Sequence, residues 1–137
     1  MSLDTLFEQL DIHNVFLGGT ILKPSMVISG DKNSNRADAP TVAEMTIKRL
    51  LDSCPTSLGG IAFLSGGQSD DEATSHLNIM NTSNKNLPWR VTFSYARAIQ
   101  QSALNHWRGK DANMSSAQEI LASRAKACSD ASVGLLS

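Results

Sequence analysis

A lysine, a glycine turn and an arginine stand where their chemistry can converge. Lys23 follows Ile21-Leu22 and precedes Pro24. A residue before proline is pushed toward extended geometry, so Lys23 should close a strand at its C-terminal end. A lysine there is either a nucleophile or a long cation that leaves the strand end for solvent. A nucleophilic amine must be neutral, whereas an unperturbed lysine titrates near ~10.4. Desolvation or a neighbouring cation has to lower that value, and an apolar surround of Ile21, Leu22 and Met26 could supply the desolvation.

The second constellation is Ser65-Gly66-Gly67, just ahead of Ser69-Asp70-Asp71-Glu72, which is a capping-box pattern. Glycines let backbone N–H groups approach an anion, and a helix N-terminus adds positive potential. The same string also fits an ordinary tight strand–helix turn. Ser94 and Arg97 come next, at the start of a further helix, where a bidentate guanidinium could complete a phosphate site or form a surface salt bridge. Together these residues describe a carbonyl-attacking amine beside an anion pocket. Glu72 and His76, four apart, could share a helix face as metal ligands; beside Asp70 and Asp71 they read better as a solvated helix start, and no metal is expected. His13 and His106 read as surface or loop residues, and Trp89 and Trp107 as core.

These groups need elements to position them. Leu3, Leu6, Phe7 and Leu10 make one helical stripe, with Ser2 as N-cap. Residues 15–22 read as a strand interrupted by Gly18 and Gly19, and 29–39 as a loop. Pro40 suits a first helical turn, Ala43, Ile47, Leu50, Leu51 and Cys54 form the buried face, and Pro55 ends the helix. Residues 60–64 predict a strand buried on both faces. The next helix carries Ala73, Leu77 and Met80, a polar loop spans 81–88, and a third strand spans 89–94. A helix over 97–107 stops at Gly109, another runs around Ala117, Leu121 and Ala125, and 130–137 should fray. The order is a helix followed by three strand–helix units, which means parallel strands in an α/β fold and one domain over 1–137. The three candidate sites then fall at the C-terminal strand ends, where parallel α/β folds bind ligands.

Composition sets the outer limits. The chain has 137 residues, 41% hydrophobic and 18% charged, with a net charge of −1. Its scattered basic residues give no footprint for nucleic acid. Apolar runs fall well short of a membrane span, and Asp4 and Glu8 stand where a signal peptide would be basic and then apolar. Cys54 and Cys128 lie far apart outside any CxxC pair, so free thiols in a reducing cytoplasm are expected.

GTILKPSMV, FLSGGQSDDEA and TFSYARAIQQSAL, supported in order and spacing by PTVAEMTIKRL, HLNIMN and LPWRVTFSY, resemble class I fructose-bisphosphate aldolases over residues 6–127. The resemblance implies a partial TIM (β/α)8 barrel comprising strands six to eight, with a preceding helix. It implies Lys23 as the imine-forming residue, with Ser65, Gly66, Gly67, Ser94 and Arg97 on a substrate phosphate. The implied reaction is reversible cleavage of fructose 1,6-bisphosphate into glycerone phosphate and glyceraldehyde 3-phosphate, without metal or cofactor. The family's acid/base residues lie on earlier strands, outside this stretch, so the chain reads as truncated. Ser25 stands where the family has Asn, and Ala96 where it has Gly, a weakening if that position needs positive φ. The family's C-terminal tyrosine has no counterpart, Tyr95 being the only tyrosine.

Two rival readings stand beside this one: a non-catalytic barrel fragment or interaction module that retains a phosphate site, and another Schiff-base enzyme completed by oligomerisation. Three strands cannot close a barrel, so a homo-oligomer is expected, burying strand faces that include Ile21, Leu64, Val91 and Phe93.

Overall fold

The computed structural model describes residues 3–30 and 32–136. Its elements run α1 (Leu3–Ile12), β1 (Ile21–Leu22), α2 (Ala39–Ser53), β2 (Gly60–Phe63), α3 (Asp70–Ser83), β3 (Val91–Phe93), α4 (Arg97–Trp107) and α5 (Met114–Ala131). The strands form one parallel sheet in the order β1-β2-β3, with Ile21 opposite Gly60, and Ile61, Ala62 and Phe63 opposite Val91, Thr92 and Phe93. This is the α/β arrangement of three parallel strand–helix units after a leading helix.

Period-two alternation divides the sheet into two unlike faces. Ile61, Phe63 and Val91 point into the core with Ala43, Ile47, Leu50, Leu77 and Met80 of α2 and α3. Phe63 is 0% exposed, and burying a side chain of that size contributes about 1.5–3 kcal/mol. Ile21 and Leu64, on the opposite face, remain 56% and 38% exposed. The expectation that Val91 and Phe93 share this open face is wrong. The register sets them beside Ile61 and Phe63, and the Phe93 ring lies 5.6 Å from that of Tyr95.

The predicted strand over 15–22 contracts to two residues. Leu17–Gly19 form a 3₁₀ turn, Thr20 N–H donates to Leu17 O, and Gly59 N–H reaches both Leu17 O and Thr20 O. The Phe16 ring folds over this bend, so close that a Cβ on Gly18 would lie 2.7 Å from it. Two glycines thus allow a bend where apolar patterning suggests extension. β3 is also shorter than 89–94: Trp89 sits in the core ahead of it and its indole N–H donates to Pro55 O.

The starts of α2 and α3 and most of their expected faces are borne out: Ala43, Ile47, Leu50, Cys54, Ala73, Leu77 and Met80 are all buried. Pro40 lies in the first turn of α2, as expected, and Asp38, which the sequence reading did not name, caps the helix by accepting from Thr41 N–H. Ser69 and Glu72 complete the capping box of α3. The expected N-cap Ser2 lies outside the described residues. Leu51 is exposed, as are Leu121 and Ala125; α5 buries Ala117 as well as Cys128 and Ala131. α3 continues past Asn81, whose amide donates to Leu77 O and Ala131 O. The expected frayed tail is tied down, since Leu136 N–H donates to Asn78 Oδ1 and the Asn78 amide returns a bond to Leu136 O. No helix among the described residues is long and apolar enough to cross a membrane.

Candidate active site

Lys23, the Ser65–Gly67 turn, and Ser94 with Arg97 follow the last residues of β1, β2 and β3 respectively. Because the strands are parallel and adjacent, all three groups lie at the C-terminal end of the sheet. Leu64 N–H donates to Pro24 O, and Ser94 N–H to Phe63 O at 2.8 Å, which carries the pairing past the strand ends. Extending the register by one residue sets Lys23 beside Ala62, on the open face with Ile21, Leu64 and Ser94. Lys23 is exposed and makes no hydrogen bond or ion pair among the described residues. The apolar surround expected from its neighbours does not form: Met26 is in the core, Leu22 packs against that core, and Ile21 is open to solvent. Alternation explains this, because Leu22 and Lys23 must face opposite ways.

The glycine turn is built by its own backbone. Ser65 is buried, Gln68 N–H donates to Ser65 O at 3.2 Å, and Gly67 has φ 76°, a left-handed conformation that favours glycine. Arg97 is the first residue of α4, exposed and without a hydrogen bond or ion pair among the described residues. Its guanidinium reaches the turn: a Cβ built on Gly66 would lie 3.4 Å from Arg97 Nη2. Ala96 has φ −102°, so its Cβ brings no left-handed strain. An unpaired guanidinium over a glycine turn, next to a helix N-terminus, can take an anion through charge and backbone N–H groups together.

Two arginines escape the sequence reading. Arg36 donates to Gly67 O at 3.1 Å and pairs with Glu72 at 3.6 Å, pinning the loop after β1 to the turn. Arg124 of α5 reaches Asp70 and Asp71 at the start of α3. Both are contacts between residues distant in sequence, and no local pattern announces them.

Glu72 and His76 do not make a metal pair. The Glu72 carboxylate accepts from Ser69 N–H at 2.7 Å, which holds its carboxyl below the usual range. His76 is buried, its Nδ1–H donating to Gln68 Oε1 at 2.7 Å, and burial holds its ring below the ordinary imidazole value. Among the described residues no group of three His, Cys, Asp or Glu is arranged to hold a metal. Tyr95 is no free acid either: its hydroxyl donates to Ala73 O at 2.9 Å, and burial pushes its pKa up. His106 is an exposed helix residue bonded to Ser116 Oγ, and Trp107 is 41% exposed rather than core.

Three parallel strand–helix units, with a lysine on the open face and a glycine turn and arginine at the strand ends, define a segment of a βα barrel. The chain superposes with TM-score 0.92 and 41% identity on a Plasmodium falciparum fructose-bisphosphate aldolase, solved in ternary complex with TRAP and a small-molecule inhibitor; 98% of this chain covers 39% of that one. The sequence profile of the class I fructose-bisphosphate aldolases matches residues 1–137. The chain belongs to that family. It is 43% identical over 129 residues to fructose-bisphosphate aldolase 2 of Caenorhabditis elegans, which covers 94% of this chain and 35% of the relative. With aldolase B of Sparus aurata the identity is 45% over 124 residues, 90% of this chain and 34% of the relative. The chain therefore spans about a third of the length of these relatives.

Proposed function

We propose that this chain carries the Schiff-base lysine and the phosphate cradle of a class I fructose-bisphosphate aldolase. Lys23 Nζ attacks the ketone carbon of a sugar phosphate, and loss of water leaves an imine. The protonated imine takes up the electron pair released when the neighbouring carbon–carbon bond breaks, so fructose 1,6-bisphosphate yields glycerone phosphate and glyceraldehyde 3-phosphate. Ser65, Gly66, Gly67, Ser94 and Arg97 hold one phosphate and orient the ketone toward the lysine. The carrying observation is the alignment of Lys23, the glycine turn and Arg97 at the C-terminal ends of three adjacent parallel strands. The proton transfers of cleavage need carboxylates, which by family resemblance belong to barrel strands outside this segment. Relatives include a cytoplasmic isozyme from Spinacia oleracea, and the same compartment is proposed here. A homo-oligomer follows from the open sheet face.

Borohydride reduction in the presence of glycerone phosphate, followed by mass mapping, tests the imine. The expected adduct is at Lys23; label spread over Lys32, Lys48 and Lys85 with none at Lys23 sinks the reading.

The exposure of Lys23 favours a second reading, a non-catalytic segment that retains the phosphate site alone. Phosphate binding without any trapped imine would decide for it.

A further inference from the structure

Arg124 belongs to α5, far from the glycine turn in sequence, yet its side chain is 13% exposed and fully engaged. Nη2–H donates to Asp70 O at 2.6 Å, Nη1–H to Asp71 Oδ1 at 2.9 Å, and Nε–H to Ala98 O at 3.1 Å. Asp70 opens α3 three residues after Gly67, and Ala98 directly follows Arg97. One planar, rigid fork therefore joins the first turns of the two helices that present the two halves of the candidate anion site. Ser102 Oγ–H, donating to the Asp70 carboxylate, adds a second link between the same helices. Arg97 itself lines a crevice with Gln68, Ser69 and Asp70, and it is the Asp70 carbonyl that Arg124 holds.

We propose that Arg124 is a positioning residue for phosphate binding: it fixes the start of α4 against the start of α3, so that Arg97 and the Ser65–Gly67 turn meet one anion. This rests on the reading of those residues as an anion site. Without the clamp α4 can slide against α3, and a displacement of about 1 Å is enough to spoil a contact between guanidinium and phosphate. Asp71 matters less: its carboxylate is 95% exposed, and its bond to Arg124 ties α5 to α3 without reaching α4.

The test titrates inorganic phosphate into the full chain by calorimetry, comparing Arg97→Ala, Arg124→Met, Arg124→Lys and Asp71→Asn with the parent. Arg124→Met should bind phosphate about tenfold more weakly. Arg124→Lys keeps the charge against Asp70 and Asp71, but one ammonium cannot span two carbonyls on different helices; it should still lose about threefold or more. Asp71→Asn should bind as the parent does. Borohydride trapping at Lys23 adds a readout that a general loss of stability would not split: the half-saturating concentration should rise for glycerone phosphate and stay unchanged for unphosphorylated glycerone. Parent-like phosphate affinity in the Arg124 variants, or equal weakening for both ketones, overturns the positioning role. If Arg124→Met fails to fold, the lysine variant decides. Phosphate binding that survives Arg97→Ala removes the anion-site reading and this proposal with it; binding that depends on Arg97 but not on Arg124 removes the positioning role alone. If no imine is trapped, calorimetry alone decides the role of Arg124 and the Lys23 reading falls separately.

Discussion

At the scale of residues, charge and reach separate the arginines. Arg97 is exposed, unpaired among the described residues and close to Gly66, whereas Arg108 ends α4 with φ 52° and spends its Nε–H on Asn105 O. Removing Arg97 should therefore weaken inorganic phosphate binding by about tenfold to a hundredfold, the range for a charge-assisted hydrogen bond. Arg108→Ala should change it little, and calorimetry on the two variants checks the contrast. Lys23, the glycine turn and Arg97 were legible because each borders a signal with a mechanism: a proline, a capping box, a strand-to-helix switch. Arg36 and Arg124 were not, because they reach partners 31 and 54 residues away and nothing local marks them. The exposure of Lys23 was hidden for a related reason: neighbours in sequence alternate across a strand, so apolar neighbours do not make an apolar surround.

At the scale of elements, α3 couples the glycine turn to pH. Glu72 is held below its ordinary value of 4.5 chiefly by the Ser69 N–H bond, so its contribution is present above that value and is lost as pH falls through the lower folded value. His76 is held below 6.5, chiefly by burial. As pH falls below 6.5 the unfolded chain takes up a proton that the folded chain refuses, so stability declines in the same direction. Denaturant unfolding across this range should thus show two descents. His76→Gln should remove the upper one and leave the lower, and Glu72→Gln should shrink the lower, to which Asp4 and Asp38 also contribute; an unchanged profile in either variant would refute the assignment. The capping box could be read directly, since every bond in it lies within four residues. The length of α3 could not: Asn81 and the tail bonded to Asn78 depend on α5 packing alongside, which turned an expected loop and an expected frayed end into ordered structure.

At the scale of the whole molecule, the core lies on one side of the sheet, and among the described residues β1 and β3 each pair only with β2. Open apolar faces and bare edges favour association. Light scattering should report a species larger than one chain, and Leu64→Glu on the open face should shift it toward the monomer. A stable parent monomer would refute this. Cleavage by the chain alone should be far below an ordinary turnover of ~10 per second, as measured by a coupled assay on protein free of host aldolase.

The order of elements, the parallel class of the sheet and the helix starts were readable from the residues, because capping, proline constraints and apolar periodicity act over a few positions; the family was readable only from the resemblance of GTILKPSMV, FLSGGQSDDEA and TFSYARAIQQSAL to its known members. Tertiary structure alone decided which face of the sheet is covered, that Val91 and Phe93 lie on it while Lys23 does not, and which distant arginines brace the turn. Those outcomes depend on strand register and helix contact, which couple residues tens of positions apart.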